Sequence, residues 1–492
     1  MSETLPFPGA DTFPDGGSGE RANSVHMLLG QIVGKGAVFV SMMLISRHMG
    51  DIWFGRLLLA VILSVFSCFI TDFGAAILVN RRISLGTPEQ SRDIWRSALG
   101  FRTVMALVSL IALTAFSLLS YPLPQTIILI PILLGMTLEI MAELPFASFR
   151  ALGQTRREAS ARISSSVVFL LLVVVFIGLD AHPYVVAAVF LVRGAAMAWV
   201  SFRTAGKLGF DIHPCFSPLR MLGLLKETWP LGLMGIVAIM HQRVDNLVIE
   251  RTLGVVSVGA YNEIYKVLEV LVLIITPTLL PGALFPGLCR AFRDGSSAMA
   301  IRRIAYLISA LSAVVVALML PPGEIFMKTL WGDAFLRGLS PAEFDNTRLL
   351  LFSGIPVFFF MNFLLAAVIA MGRQKATLPA VTAGLLASLA LNLWLMGNHG
   401  LPAAGVAAVF SSALVGVVCA SLLGRGTLRG LIVPFVLGVL PASGILILQG
   451  FTGLPWPLLT GAGFVMALPA LLMAHRQGWS LRAAIPSEAP QR

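Results

Sequence analysis

The sequence of 492 residues has few charged residues and few cysteines. Asp, Glu, Lys and Arg together make up 12% of the chain, whereas about a quarter is usual in soluble domains. The four cysteines (Cys68, Cys215, Cys289 and Cys419) are far apart and lack the spacing of a zinc site or of a disulfide framework. The low charge content excludes a soluble enzyme, and the cysteines indicate neither a metal nor a covalent scaffold.

Motifs for catalysis and nucleotide hydrolysis are missing as well. The sequence has no G-x-x-x-x-G-K-[ST] loop, no nucleophile elbow, no H-E-x-x-H and no acid pair on a loop. Asp72-Phe73-Gly74 spells the metal motif of kinases, but it lies inside an apolar predicted helix without the partner motifs. A membrane glycosyltransferase would need a large polar loop, and the longest predicted outer loop, 321–346, is short. We therefore expect no enzyme activity, no metal site and no cofactor.

Apolar residues, by contrast, are abundant: they make up 57% of the chain, and the mean hydropathy is +0.87. Apolar runs recur along the sequence, and each is long enough to cross the hydrocarbon core of a bilayer as a helix of about 20 residues. Most of the 35 Lys and Arg residues fall in the tails and in alternate connections, which predicts both termini in the cytoplasm. The chain is therefore predicted to be an all-α polytopic membrane protein with about 14 transmembrane helices.

Two sequence patterns recur six predicted helices apart. Arg47-x-x-Gly50-x-x-x-x-Gly55 returns as Arg251-x-x-Gly254-x-x-x-x-Gly259, and Ala151-Leu152-Gly153-Gln154 resembles Ala370-Met371-Gly372-Arg373-Gln374. Such parallel repeats predict two pseudo-symmetric six-helix lobes with a cavity between them, followed by two C-terminal helices. The predicted organisation is a disordered cytosolic tail (1–24), an N-lobe (25–205), a cytoplasmic linker (206–227), a C-lobe (228–424), two further helices (425–474) and a cytosolic tail (475–492).

Ionisable residues within the predicted spans are the candidate functional residues, because a charge in a bilayer is costly and usually faces a cavity or a partner. Lys35, Arg193 and Arg243 have no acid three or four residues away on their own helix. With Lys266, they are interpreted as lining a cationic cavity. Such a cavity favours an anionic solute, and Arg is suited to bidentate contacts with phosphate.

Other polar groups within the spans also have structural interpretations. The groups expected to neutralise one another are Glu263–Lys266–Glu269, Glu143–Arg150, and Asp72 with Arg81 and Arg82. A substrate role for the first group remains an equal alternative. His241 fits either a pH-sensing ligand or a hydrogen-bonded helix contact. The prolines predicted to kink or break the eighth span are Pro277, Pro281 and Pro286.

The chain resembles the polysaccharide-transporter (oligosaccharide flippase) family of the multidrug/oligosaccharidyl-lipid/polysaccharide superfamily. The resemblance extends over nearly the whole chain, but its motifs are degenerate. The stretches that carry it are Trp229-Pro230, His241-Gln242-Arg243-Val244-Asp245, Gly254, Gly259-Ala260-Tyr261, Lys266-Val267-Leu268-Glu269, Gly50 to Gly55, Asp72-Phe73-Gly74, Arg81, Leu330-Trp331-Gly332-Asp333-Ala334-Phe335, Asn392 and Gly400 to Gly405.

The resemblance implies a flippase in the inner membrane of a bacterium that works by alternating access. Its cargo would be an undecaprenyl-diphosphate-linked oligosaccharide, a repeat unit of O-antigen, capsule or exopolysaccharide, and polysaccharide polymerase and chain-length machinery are the expected partners. Movement would be driven by an H+ or Na+ gradient, and the candidate coupling acids are Asp72, Glu139, Asp245 and Glu269. A lipid II flippase and a multidrug/cation antiporter of the same superfamily are the alternatives.

Overall fold

The computed structural model describes residues 18–85, 87–274, 288, 291–292, 295–332, 339–452 and 454–477. These residues form helices joined by turns and short connections, and no strand occurs among them. The predicted all-α class is confirmed. The chain divides into two compact units, Met1–Met240 and His241–Arg492.

The first unit contains eight complete helices and the beginning of a ninth among the described residues. They are α1 (Ser18–His48), α2 (Asp51–Asp72), α3 (Ala75–Leu85), α4 (Pro88–Ser120), α5 (Leu123–Met141), α6 (Glu143–Ala151), α7 (Thr155–Gly178), α8 (Pro183–Lys207) and α9 (Pro218–Leu253). The boundary between the units falls within α9, just before the polar stretch that begins at His241.

The second unit continues from the end of α9. Its described helices are α10 (Val255–Ile274), α11 (Ser297–Met319), α12 (Gly323–Trp331), α13 (Pro341–Ser353), α14 (Ile355–Ala370), α15 (Thr377–His399), α16 (Pro402–Leu422), α17 (Arg425–Thr452) and α18 (Trp456–Arg476). Several helices begin with proline in the first turn, where its missing N–H leaves no hydrogen bond unmade.

Twelve spans in the described part of the chain are long and apolar enough to cross a membrane. Two further predicted spans coincide with α1 and with α10, although the C-terminal part of the latter prediction lies outside the described residues. Large apolar side chains such as Leu119 and Phe451 are 89% and 87% exposed, as expected for helices that face lipid. The chain is a multi-pass membrane protein with roughly the predicted number of spans.

Two predicted spans of the first unit are each built from two helices. The second predicted span breaks after Asp72, where Phe73 and Gly74 have φ values of 41° and 79°. The interpretation of Asp72-Phe73-Gly74 as interior to one helix was therefore wrong. A side chain at Gly74 would collide with Leu231 of α9, so the break brings the backbone close to that helix. The fourth predicted span breaks at Ala142, between α5 and α6.

The first unit packs α1 along α7 and α5 along both α2 and α8. Gly135 of α5 and Gly194 of α8 face each other so closely that a methyl group on either would overlap the backbone of the opposite helix. Small residues allow this kind of approach between membrane helices.

The connection from α8 to α9 is held against α4. Trp95 donates a hydrogen bond of 2.7 Å from its indole Nε1 to the carbonyl oxygen of Asp211, and the Arg96 guanidinium lies 3.3 Å from the Asp211 carboxylate. The backbone N–H of His213 donates to that carboxylate, and this bond together with Arg96 lowers the pKa of Asp211.

In the second unit, α11 packs against α17 and α18, and α15 packs against α16. A small apolar cluster around Tyr306 and Ala467 joins α11 to α18. The tenth predicted span also consists of two helices, α13 and α14, which meet at Gly354.

One of the two recurring sequence patterns has the same backbone conformation in both units. After α6, Gly153 has φ 68°, and the N–H of Gln154 donates to the carbonyl oxygen of Phe149. After α14, Gly372 has φ 82°, and the N–H of Arg373 donates to Val368 five residues earlier in the same way. Both turns are glycine-terminated helix ends.

The other recurring pattern occupies two helix junctions that differ in conformation. Gly50 precedes α2 with φ −62°, whereas Gly254 precedes α10 with φ +88°.

Some predictions concern residues that the structure places differently or does not describe. Residues 18–24 belong to α1 rather than to a disordered tail, whereas 1–17 lie outside the described residues. Helix α9 begins within the predicted linker 206–227. Pro277, Pro281 and Pro286 lie outside the described residues, as does most of the predicted C-terminal tail.

Candidate substrate and ion site

A cluster of three charged side chains joins α9 to α10 in the second unit. Glu269 accepts hydrogen bonds from Arg243 through Oε1 at 3.1 Å and from Lys266 through Oε2 at 2.9 Å. Arg243 also lies over the ring of Tyr265, 5.3 Å from its centroid. Two cations therefore share one carboxylate, and the three groups together carry a charge of +1.

The sequence correctly placed Arg243 in a span that is long and apolar enough to cross a membrane, but the view of Arg243 as an unpaired cation was wrong. Its acid lies on the neighbouring helix rather than one turn away on α9. Lys266 and Glu269 form the predicted contact along α10. Glu263, one turn earlier, is fully buried.

A second polar cluster in the same unit is built around the carboxylate of Asp245. Tyr261 donates its hydroxyl to Asp245 Oδ2, and the backbone and side-chain nitrogens of Asn246 both donate to Oδ1 at 2.8 Å. Asn262 extends the cluster by donating to the side-chain oxygen of Asn246. All four residues are buried. The hydrogen bonds that this carboxylate accepts from the described residues therefore come from neutral donors.

His241 contacts the hydroxyl of Ser411 on α16 at 3.3 Å. This is the hydrogen-bonded helix contact that was one of its two predicted roles.

In the first unit, the predicted cation Arg193 of α8 pairs with the predicted coupling acid Glu139 of α5. Arg193 Nη2 lies 2.7 Å from Glu139 Oε1, and the guanidinium lies 5.4 Å from the ring centroid of Phe169. The view of Arg193 as unpaired was therefore also wrong, because its acid lies on a different helix.

Four charged residues form a larger network between α6 and α7. Arg150 pairs with Glu143 at 2.7 Å, which confirms the predicted ion pair, and Arg162 pairs with the same carboxylate. Glu158 completes the network by contacting Arg150 at 3.2 Å and Arg162 at 2.9 Å. Two acids and two arginines balance, so the network carries no net charge.

Asp72 has a partner that the sequence did not predict. It lies 3.4 Å from Arg102 of α4, whose side chain is fully buried and also donates to the carbonyl oxygen of Ile140 near the end of α5. Arg82, one of the expected partners, pairs instead with Glu227 at 2.5 Å. The side chain of Arg81 lies outside the described residues. The sequence reasoning missed Arg102, although an arginine within the third predicted span was a usable signal.

Lys35 lies on α1, where its side chain is exposed. The preceding residue, Gly34, faces Ser166 and Arg162 of α7. Lys35 is therefore adjacent in sequence to a contact between α1 and α7. Within the described residues, no group of three or more His, Cys, Asp or Glu side chains is placed to hold a metal ion.

The whole fold is similar to those of solved transporters. It matches the lipid II flippase MurJ in an inward closed conformation, with a TM-score of 0.67 and 12% identity, over 93% of this chain and 99% of that chain. An inward-facing multidrug resistance MATE transporter matches with a TM-score of 0.61 and 12% identity, over 87% and 99% of the two chains. A MOP superfamily transporter from Pyrococcus furiosus matches with a TM-score of 0.56 and 14% identity, over 85% and 97%. A search of curated proteins gives no significant match.

The protein is therefore a multi-pass membrane protein with the fold of the MOP transporters. Residues 21–292, more than half of the chain, match the model of a family described as polysaccharide biosynthesis protein. The chain belongs to that family, which confirms the resemblance seen in the sequence.

Proposed function

We propose that the protein is a flippase that moves undecaprenyl-diphosphate-linked oligosaccharides across the bacterial inner membrane by alternating access. The cargo would be a repeat unit of O-antigen, capsule or exopolysaccharide, and both termini would be cytoplasmic. The observation that carries the proposal is the cluster of Arg243, Lys266 and Glu269 on α9 and α10, in which two cations share one carboxylate, in a member of a polysaccharide biosynthesis family.

The chemistry of a diphosphate-linked lipid suits such a cluster. A guanidinium and an ammonium on adjacent helices offer several N–H donors to phosphate oxygens, and Arg can contact two oxygens at once. Lys35 and Arg193 would contribute further positive charge, the latter only when it leaves Glu139. The polyprenyl chain would stay in the lipid, because its transfer to a polar cavity would expose apolar surface to water.

Among the four candidate coupling acids, Asp245 is the one we favour. Asp72, Glu139 and Glu269 each contact an arginine, whereas the hydrogen bonds to Asp245 come from a tyrosine and an asparagine. Binding of H+ or Na+ would neutralise this buried carboxylate and change the cost of burying it. The coupling ion would thereby bias the equilibrium between two conformations of the transporter.

Complementation would test the proposed function. Cells that lack their own oligosaccharide flippase would receive the wild-type chain, Lys35→Ala or Arg243→Ala, and surface polysaccharide would be measured together with the membrane level of each variant. We expect the wild type to restore the polysaccharide and both variants to lose it. Arg82→Ala is the matched control, because Arg82 belongs to an exposed ion pair with Glu227.

Full activity of both variants would contradict the cationic site even if the wild type restores polysaccharide. Rescue of cells without a lipid II flippase would favour that cargo, which the fold match to MurJ makes the first alternative. Drug export without polysaccharide rescue would favour a multidrug antiporter.

A further inference from the structure

Glu269 occupies the position in the cationic cluster that an anionic ligand would need. Its two carboxylate oxygens contact two different cations, Arg243 at 3.1 Å and Lys266 at 2.9 Å. Two oxygens of a phosphate group can bridge a guanidinium and an ammonium in the same manner. The resident carboxylate and an incoming phosphate would therefore compete for the same donors.

The two cations differ in how firmly they are held. The Arg243 side chain is 9% exposed and lies against Tyr265, whereas the side chains of Lys266 and Glu269 are 23% and 30% exposed. Lys266 and Glu269 are also neighbours on one face of α10, three residues apart. Glu269 can thus turn away from Arg243 while it stays beside Lys266. Arg243, in contrast, packs against Tyr265, and its buried Nε atom finds no hydrogen-bond partner among the described residues.

The charges favour such an exchange. Two cations against one carboxylate leave an excess of +1, which a diphosphate with two or more negative charges would compensate better than the carboxylate does. Without a ligand, Glu269 supplies the carboxylate that accepts a hydrogen bond from the buried Arg243, and the loss of that partner would be costly. The carboxylate of Glu269 therefore stabilises Arg243 when the site is empty, and it competes with the diphosphate for Arg243 when the ligand is bound.

We infer that Glu269 is an internal counter-ion that the diphosphate of the cargo displaces from Arg243, and that its return promotes release of the cargo. The inference rests on the proposed function, because it assumes that a diphosphate is the ligand of Arg243. It gives Glu269 a role in setting the affinity and the residence time of the cargo rather than in coupling an ion.

Binding of farnesyl diphosphate to the full-length protein in lipid nanodiscs would test this role. We expect Glu269→Gln to bind the probe about tenfold more tightly than the wild type, chiefly through slower dissociation, because the competing charge is gone. Glu269→Asp keeps the charge but is one methylene shorter, so it should reach Arg243 poorly and give an intermediate affinity. Arg243→Ala should weaken binding, and Glu227→Gln, in an exposed ion pair, should leave it unchanged.

The outcomes separate this inference from the proposed function. If Arg243→Ala weakens binding but neither Glu269 variant binds more tightly than the wild type, the counter-ion role is wrong and the cationic site stands. If the wild type and Arg243→Ala bind the probe equally, or if neither binds it, the site itself fails and the inference fails with it. Glu269→Asp keeps the negative charge at this position. If Glu269→Gln does not fold, the affinity of Glu269→Asp for the probe still tests the inference.

Farnesol and inorganic pyrophosphate serve as the two partial probes. The inference requires that Glu269→Gln binds pyrophosphate more tightly than the wild type does, and that it binds farnesol no more tightly. Only the phosphates compete with the carboxylate. An equal gain with farnesol would contradict it, since the gain would then come from the apolar part of the probe.

Discussion

The helices that the predicted repeat relates meet through different contacts in the two units: backbone against backbone in the first, and backbone against a side chain in the second. In the first unit, Gly135 of α5 and Gly194 of α8 bring the two backbones together with no room for a methyl group. The predicted repeat pairs these helices with the two-part span α13–α14 and with α16 of the second unit. There, a methyl group on Gly416 would lie 3.8 Å from the Cα atom of Met361, which is an ordinary contact, whereas one on Gly354 would overlap a side-chain methyl of Val409.

The charged groups of the two units also differ, because those between α6 and α7 are balanced in charge and those around Arg243 are not. Between α6 and α7 of the first unit, each carboxylate contacts two arginines and each arginine contacts two carboxylates. In the second unit, Arg243 and Lys266 share one carboxylate, and the hydrogen bonds to Asp245 come from neutral groups. We expect the balanced network to hold helices together and, under the proposed function, the cluster around Arg243 to bind the cargo. We therefore expect substitutions in the first unit to act mainly on stability and those around Arg243 to act mainly on ligand binding.

The largest stability effect is expected at the glycine contact of the first unit. Gly194→Ala should lower the free energy of unfolding by about 3 kcal/mol, because the methyl group overlaps the carbonyl of Gly135 and the helices must separate. Gly416→Ala should change it by less than about 0.5 kcal/mol, because that methyl group finds space. Thermal unfolding of the purified protein in detergent measures both. Equal losses in the two variants would show that the units are packed alike.

A somewhat smaller loss is expected from the balanced network. Glu143→Ala removes the partner of both Arg150 and Arg162, and we expect a loss of about 2 kcal/mol, because the two arginines then share Glu158 alone. The same thermal measurement applies. Glu227→Ala is the control: its exposed pair with Arg82 is short, yet exposed pairs contribute less than about 1 kcal/mol. A larger loss in the control than in Glu143→Ala would refute the view that burial decides the strength of these pairs.

The sequence predicts the class of fold well because long apolar runs admit few structures in a bilayer. Backbone groups must find partners within the membrane, so such a run becomes a helix. Contacts within a single span or across a short connection were also predictable, as Glu143 with Arg150 and Lys266 with Glu269 show. The glycine-terminated turns at Gly153 and Gly372 likewise carry a local signal.

Partners on different helices were not predictable from one sequence. Arg193 and Arg243 have no acid one turn away on their own helices, whereas Glu139 and Glu269 approach them from neighbouring ones. Which helices become neighbours depends on packing, including the close contact of α5 with α8, that a one-dimensional pattern does not contain. Asp72 pairs with Arg102 of α4, and Arg82 pairs with Glu227, for the same reason.

The smallest effect is expected at the two matched turns, where the units should behave alike. Gly153→Ala and Gly372→Ala should each lower the free energy of unfolding by about 1 kcal/mol, because residues with a side chain are strained at φ values of 68° and 82°. Gly206→Ala is the control within a helix. It has open space around it, so the change should be neutral or slightly stabilising. Thermal unfolding measures all three variants. A loss at only one of the two turns would mean that the turns contribute differently to stability despite their matching conformation.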